Sequence, residues 1–384
     1  MCGAFPRRGR SGRQFHPHSE RRTHVLRMPH LSSGNAPLPG AHFRMSRLYL
    51  APMEGLADYV LRDVLTGIGG FDGCVSEFIR VTGSVLPTRV YEREAPEVLD
   101  AGHTPNGTPM VVQLLGSDPE WMALNAAHAA TLSPHGVDLN FGCPAKVVNQ
   151  HGGGAMLLAD PEQLNRIVSA VRAAVPADIL VTAKMRLGVS DTSLAIDCAT
   201  ALAEGGAASL VVHARTRDHG YRPPAHWEWI ARIDAAVDVP VIANGEVWTV
   251  TDWERCRAVS GCDDVMIGRG AVSDPFLALR IRGLMDRSPS NEDWRDVLGH
   301  MAGYLRKLQA RVASRHEHGR VKKWLSYLQR TWPQAAELHA AIRRVQDSQE
   351  IQDVIERALG VGQSMATHRS GRLSQRDPAD LAVV

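Results

Sequence analysis

From Leu48 onward, short apolar runs rich in β-branched residues recur along the chain. They fall at Leu48–Met53, Cys74–Ile79, Met110–Leu115, Val137–Phe141, Ile179–Met185, Ser209–His213, Val239–Ala243 and Asp264–Ile267. Between them lie segments of helical period. Ser117-Asp118-Pro119-Glu120 opens Pro119–Leu132 with a cap residue and a first-turn proline. Asp160-Pro161-Glu162 opens another, with an apolar face of Leu164, Ile167, Val168 and Val171. A third runs from about Ser193 to Glu204 and stops at Gly205-Gly206, while Thr249–Val259 is followed by Gly261. Glycine suits the left-handed residue that ends such helices. Eight strands, each followed by a helix, predict an α/β fold with a parallel (β/α)8 TIM barrel. A doubly wound open sheet is the main competitor.

From about Ser290 the pattern becomes all-helical, over Trp294–Ala313, Arg320–Trp332, Ala335–Val345 and a last helix near Ile351–Leu359. In the second of these, Val321, Trp324, Leu325 and Leu328 make an apolar stripe. Arg320, Lys323, Tyr327 and Arg330 lie on an adjoining face, with Lys322 beside the stripe. The expected organisation is a basic extension over 1–46, a catalytic barrel over 47–289, a small helical domain over 290–360 and a loose tail over 361–384.

Length agrees, since 384 residues accommodate a barrel of ~250 residues and a smaller partner. The chain is 44% apolar, enough for a sizeable core, yet has no run of apolar residues long enough for a membrane-spanning helix. The six cysteines, Cys2, Cys74, Cys143, Cys198, Cys256 and Cys262, form no Cys-x-x-Cys pair. Neither a metal site nor a disulfide framework is indicated, and a reduced, cytoplasmic protein is the simplest expectation.

The net charge of +2 conceals an asymmetry. Residues 1–46 hold eight arginines against one glutamate, 47–289 hold 20 basic against 29 acidic side chains, and 290–360 hold 12 against nine. An acidic body beside a basic module points to a polyanionic partner held partly by that module. The extension, rich in Arg, His, Pro, Ser and Gly, reads as disordered and lacks the apolar segment of a secretory signal. A basic arm touching RNA competes there with a non-essential segment preceding an alternative start at Met45; the second reading is preferred.

The strand ends carry the chemistry. They present Pro52-Met53-Glu54, Gln113, Asn140-Phe141-Gly142-Cys143-Pro144, Lys184 with Arg186, His213-Ala214-Arg215-Thr216, Asn244-Gly245-Glu246 and Gly268-Arg269-Gly270. A barrel would gather all of these at one mouth. Glycines after the last two strands let backbone N–H groups approach a phosphate, and Arg269 can grip the same group. Alone, each glycine pair could be an ordinary turn. Lys184 inside a barrel mouth costs desolvation unless an anion is present. Gln113 offers a donor and an acceptor, and His213 is either a ligand contact or a satisfied core histidine. Cys143 sits in a loop between glycine and proline rather than in an apolar run, as Cys198 does, and Gly152-Gly153-Gly154 follows it. A thiol there suits a nucleophile or a general acid.

These segments, with Ala51-Pro52-Met53-Glu54-Gly55, Val112-Gln113-Leu114-Leu115-Gly116 and Lys184-Met185-Arg186, resemble the tRNA-dihydrouridine synthase family, in order from about residue 47 to 360. Arg320-Val-Lys-Lys-Trp-Leu-Ser-Tyr-Leu328 resembles its bacterial C-type branch, which implies position 16 of the D-loop. Ala214 stands where the family more often has glycine, and the 46-residue extension has no counterpart. The resemblance implies FMN as cofactor and NADPH as reductant. It places Pro52, Met53 and Glu54 under the flavin ring and Gln113 and Lys184 at its polar edge. His213, Asn244, Gly245, Glu246, Gly268 and Arg269 would hold the ribityl phosphate. Hydride would go to C6 of uracil and a proton from Cys143 to C5. For tRNA it implies Arg80, Asn140, Tyr221, Arg320, Lys322, Tyr327 and Arg343, on a monomer without metal or membrane attachment. Two alternatives stand beside it. One is a small-molecule flavoenzyme, which would not need the basic module, and the other is an RNA-binding protein whose barrel no longer catalyses.

Overall fold

The computed structural model describes residues 46–145, 148 and 152–360. The readings of the N-terminal extension, of Met45, of the tail and of His151 lie outside the described residues.

Eight parallel strands close into a barrel. β1 (Leu48–Leu50) pairs with β2 (Gly73–Val75), which passes β3 (Ile79–Arg80) and pairs directly with β4 (Met110–Leu115) through Cys74↔Met110 and Val75↔Val111. β5 (Val137–Phe141), β6 (Val181–Arg186), β7 (Leu210–His213), β8 (Val241–Asn244) and β9 (Val265–Ile267) follow in order, and β9 returns to β1. The open-sheet competitor is thereby excluded. β3 is a two-residue continuation on the edge of β4. The second apolar run is thus two strands rather than one. The Ser76 N–H makes the last ladder bond, to Val111 O at 3.0 Å; Ser76 Oγ then accepts the Gln113 N–H at 3.0 Å, the Glu77 carboxylate accepts the Gly55 N–H, and the ladder breaks there.

Side chains alternate inward and outward along each strand. Leu48, Leu50, Val112, Leu114, Leu210 and Val212 face the helices in the main core, while Ala51, Val75, Val211, Ile242 and Met266 form a small cluster within the barrel. The same parity carried toward the strand ends places Gln113, Asp138, Asn140, Thr182, Lys184, Arg186, His213 and Asn244 inward. The filling therefore changes from apolar to polar at the end where barrel chemistry resides.

The outer ring follows the expected caps. α1 (Tyr59–Ile68), not among the expected helices, starts where the Asp58 carboxylate accepts the N–H groups of Val60 and Leu61. α2 (Thr88–Glu94) and α3 (Pro119–Leu132) come next, then α4 (Pro161–Ala174), which buries Leu164, Ile167, Val168 and Val171. α5 (Ala195–Glu204) ends at Gly205 in right-handed geometry, and Gly206 (φ 100°), one residue later, is the left-handed one. α6 (Trp227–Asp234) precedes α7 (Val250–Ser260), which has a reciprocal cap between Thr249 and Asp252 and a left-handed Gly261.

After β9 come two short helices, α8 (Arg269–Ser273) and α9 (Leu277–Ile281). α10 (Asp293–Arg311), α11 (Ser314–Leu328), α12 (Gln334–Ile342) and α13 (Ser348–Leu359) then form the helical module. α11 starts six residues before the expected Arg320 and stops at Leu328. Its stripe Val321, Trp324, Leu325 and Leu328 is fully buried, and Trp324 Nε1 donates to Val272 O at 3.0 Å. Lys307 Nζ lies 2.7 Å from Asp63 Oδ2, and Arg320 pairs with Asp58. The module is thus packed on α1 and α8, beside the barrel mouth. Among the described residues, no helix is long and apolar enough to cross a membrane.

Candidate active site

A cavity of about 360 Å³ opens at the C-terminal ends of the strands. Its walls include Pro52, Met53 and Glu54 after β1, Gln113 of β4, Asn140 and Cys143 at the end of β5, and Lys184 and Arg186 of β6. His213, Asn244, Gly245, Glu246, Gly268 and Arg269 close the far side, and Lys323 and Tyr327 of α11 reach in from the helical module. Every cofactor-contact residue anticipated from the sequence lines this one space, together with Cys143, Asn140, Tyr221 and Tyr327.

Cys143 is buried with its Sγ 3.7 Å from Glu54 Oε2 and 3.5 Å from the Ala145 N–H. Burial, reinforced by Glu54, pushes its thiol up to about 11 from the ordinary 9.0. The sulfur therefore carries its proton at neutral pH, as a proton donor must. The glycines after it have a structural use. Gly154 holds φ at 60°, and a Cβ there would lie 2.8 Å from Cys143 O, so only glycine lets this segment pack against the Cys143 loop.

A hydrogen-bonded chain runs under the loop. Thr182 Oγ1 and Gln113 Nε2 donate to the Asp138 carboxylate at 2.6 and 2.7 Å, and Asn140 Nδ2 donates to Gln113 Oε1 at 2.7 Å. Asn140 Oδ1 then accepts the N–H groups of Gly142 and Cys143, both at 2.9 Å. An ionised carboxylate only accepts, so Asp138 fixes the sense of both amides as far as the Cys143 backbone. Arg186 ties the loop from the other side, donating to Gly142 O at 2.8 Å and to Thr216 O and Gly220 O.

The far side is cationic. Lys184, Arg186, Arg215 and Arg269 surround His213, whose pKa falls well below its ordinary value through burial and these charges. His213 is thus a neutral ring, and among the described residues its buried Nδ1 has no hydrogen-bond partner, as is also true of Arg215 Nη1. Burial and Arg186 lower Lys184 to about 8. Positive groups this concentrated, with unsatisfied donors among them, fit a ligand that is anionic and rich in acceptors.

Residues 49–361 match the dihydrouridine synthase family. The chain belongs to that family. It is 83% identical over 312 residues to the tRNA-dihydrouridine(16) synthase of Cupriavidus necator, covering 81% of this chain and 97% of that one. Identity to the enzyme of the same name from Ralstonia nicotianae is 78% over 323 residues, covering 84% and 99%. For that of Aquipseudomonas alcaligenes it is 53% over 310 residues, covering 80% and 98%. The reaction of the family is the reduction of uridine to dihydrouridine.

The structure refines several individual expectations. Both ends of the Gln113 amide are engaged within the barrel, so it presents one remaining N–H to a ligand. Asn140, expected at the uracil edge, has its carbonyl committed to the Cys143 loop. Glu54 faces the thiol. The Glu246 carboxylate is held by Arg215 and by Trp248 Nε1, and its backbone is left-handed at φ 60°, leaving main-chain groups as its contribution to the cavity. Arg80 lines a neighbouring cavity of about 530 Å³ with Thr82 and Trp121. Arg320 and Lys322, expected at RNA, are bound to Asp58 of the barrel and to Val345 O within the module, so the first docks the module and the second braces it internally. Arg343 is exposed just past α12. Sequence reading missed Phe78 and Trp248 as wall residues; neither lies in a strand-end motif of chemical groups. It quoted Arg186 without giving it a role, although its inward parity with Lys184 was a usable signal.

Proposed function

We propose that the protein reduces uridine to 5,6-dihydrouridine at position 16 of the tRNA D-loop, as a cytoplasmic monomer, using FMN and NADPH. The name shared by its relatives supports the substrate and the position. The observation that carries the chemistry is a protonated Cys143 thiol on the wall of a cation-lined cavity. A structural cysteine would need neither the Glu54 carboxylate nor a loop held by Asn140 and Arg186.

The cavity residues fit FMN. Gly245, Gly268 and Arg269 would hold the phosphate, with His213 Nδ1 and Arg215 Nη1 as donors or acceptors awaiting partners. Met53, Gln113 and Lys184 would border the ring, and a negative charge there would be met by the Lys184 ammonium. When bound and reduced by NADPH, FMN supplies hydride to C6 of the uracil. Cys143 Sγ supplies the proton to C5 and becomes a thiolate, which the Ala145 N–H and Arg186 stabilise until solvent reprotonates it. The uridine must leave its stack to enter, and a folded RNA loop presents such bases at low cost. Tyr221, 52% exposed at the mouth, offers a surface beside the entering base. Arg80, on a neighbouring cavity, and the exposed Arg343 would contact the body of the tRNA.

Incubating the protein with NADPH and tRNA lacking dihydrouridine, followed by mapping of the product, tests the proposal. Dihydrouridine at position 16, slowed at least ~100-fold in Cys143→Ala, is the expected result. Product at another D-loop position overturns the site assignment, and a flavoprotein that makes none returns the small-molecule alternative.

A further inference from the structure

The basic face of α11 is mostly consumed by the fold. Arg320 is paired with Asp58, Lys323 Nζ donates to Gly55 O at 2.6 Å, and Lys322 donates to Val345 O. Arg330, two residues beyond the helix, is different. It is exposed, its guanidinium lies 3.9 Å over the Trp248 ring, and among the described residues it meets no carboxylate.

This contact ends a ladder of alternating cations and rings. Arg186 lies 5.3 Å from the Tyr221 centroid, Arg269 lies 4.3 Å from Tyr221 and 5.1 Å from Trp248, and Arg330 follows. Arg186 is anchored by three carbonyls, and the Trp248 ring is fixed by its N–H bond to Glu246 at 3.0 Å. A guanidinium held over a ring face keeps N–H groups available to a second partner. Phosphate oxygens match the guanidinium fork in a bidentate way. The place of the ladder matters as well. Trp248 lines the active-site cavity and also a second cavity of about 460 Å³, at the junction of barrel and helical module, where Arg330 is a wall residue. A strand whose base enters the first cavity and whose backbone continues toward the second must cross the Trp248–Arg330 pair.

We propose that Arg330, held by Trp248, grips the RNA phosphate next to the target uridine. The proposal rests on tRNA being the substrate. A run of interleaved rings and cations along one rim suits a single nucleic-acid strand better than a compact anion.

The test is binding of unmodified tRNA to the flavin-loaded protein across a salt series, for the parent, Arg330→Gln and Arg330→Lys, with melting temperatures measured alongside. Arg330→Gln should bind roughly tenfold more weakly, the loss expected for one charged hydrogen-bonded contact. Its slope of log affinity against log salt should fall by about 0.7–0.9, one counterion's worth. Arg330→Lys should keep the slope and still lose affinity, because the planar fork is gone. Parent-like affinity and slope in Arg330→Gln overturn the proposal. A raised KM for NADPH with unchanged RNA binding also overturns it, assigning the pair to the dinucleotide phosphate. A parent that neither binds nor reduces tRNA would instead remove the substrate reading beneath it.

Discussion

Replacing Glu54 by glutamine isolates the carboxylate that faces the Cys143 thiol. Cys143 Sγ and Glu54 Oε2 are 3.7 Å apart, and the thiol stands at about 11 chiefly because it is buried and secondly because of this charge. Glu54 is exposed, so its field is screened by water; at a dielectric near 80 two charges at that distance interact by about 1 kcal/mol. Glutamine keeps the shape and an acceptor oxygen while removing the charge. The thiolate population at a fixed pH below 10 should therefore rise roughly fivefold, since 1.36 kcal/mol corresponds to a factor of ten. The alkylation rate of the Cys143 peptide with iodoacetamide, followed by mass spectrometry, reports this population directly. Burial should still keep the thiol protonated at neutral pH, so dihydrouridine formation there should not fall through ionisation. An equal or slower alkylation rate in Glu54→Gln would refute the electrostatic reasoning. A parent thiol titrating below the ordinary cysteine value would refute the assignment of burial as the dominant cause.

Three further outcomes are expected. Lys184 stands near 8 and must be charged to receive an anionic ligand, so FMN affinity should fall as pH rises through about 8. Lys184→Met should bind FMN more weakly with that pH dependence flattened, measurable by flavin fluorescence. Asp138→Ala leaves the Gln113 amide, 0% exposed, without its acceptor and should cost about 1–3 kcal/mol by thermal melting. It should also slow uridine reduction more than NADPH-dependent flavin reduction, since the Cys143 loop lies at the far end of the chain; equal slowing would argue against the relay. Arg62 and Glu97 form a buried bidentate pair at 2.7 and 2.8 Å, so Arg62→Met should destabilise the fold by about 3–5 kcal/mol, and adding Glu97→Leu should recover most of the loss.

The barrel was legible because its strands are buried on their outer faces by helices whose caps lie in the local sequence, as Asp118, Asp160 and Thr249 show. The break between β2 and β3 was not, because it depends on Ser76 bonding a strand that begins more than 30 residues later. The members of the site were readable for a related reason. Chemical groups at successive strand ends must converge once the barrel closes, and Pro52, Gln113, Cys143, Lys184, His213, Asn244 and Arg269 do so. Their individual duties were less readable. Asn140 and Gln113 look like ligand contacts in sequence, and only the position of Asp138 turns them into supports for the thiol loop. For Glu246 the partner that occupies it, Arg215, comes from a different strand end.

Charge shows the same limit most sharply, and it changes how RNA recognition should be sought. Counted along the chain, the segment 290–360 is basic and the segment 47–289 is acidic. In the folded protein, Lys307, Arg311 and Arg320 of the module are paired with Asp63 and Asp58 of the barrel. Those charges hold the module in place and have little attraction left for a polyanion. Among the described residues, other cations form no ion pair with a carboxylate, and two of them, Arg269 from the acidic segment and Arg330 from the basic one, are joined across Trp248. These two place positive charge at the seam of barrel and module, beside the cavity. On the proposed function, that placement would draw a nucleic-acid strand toward the cavity.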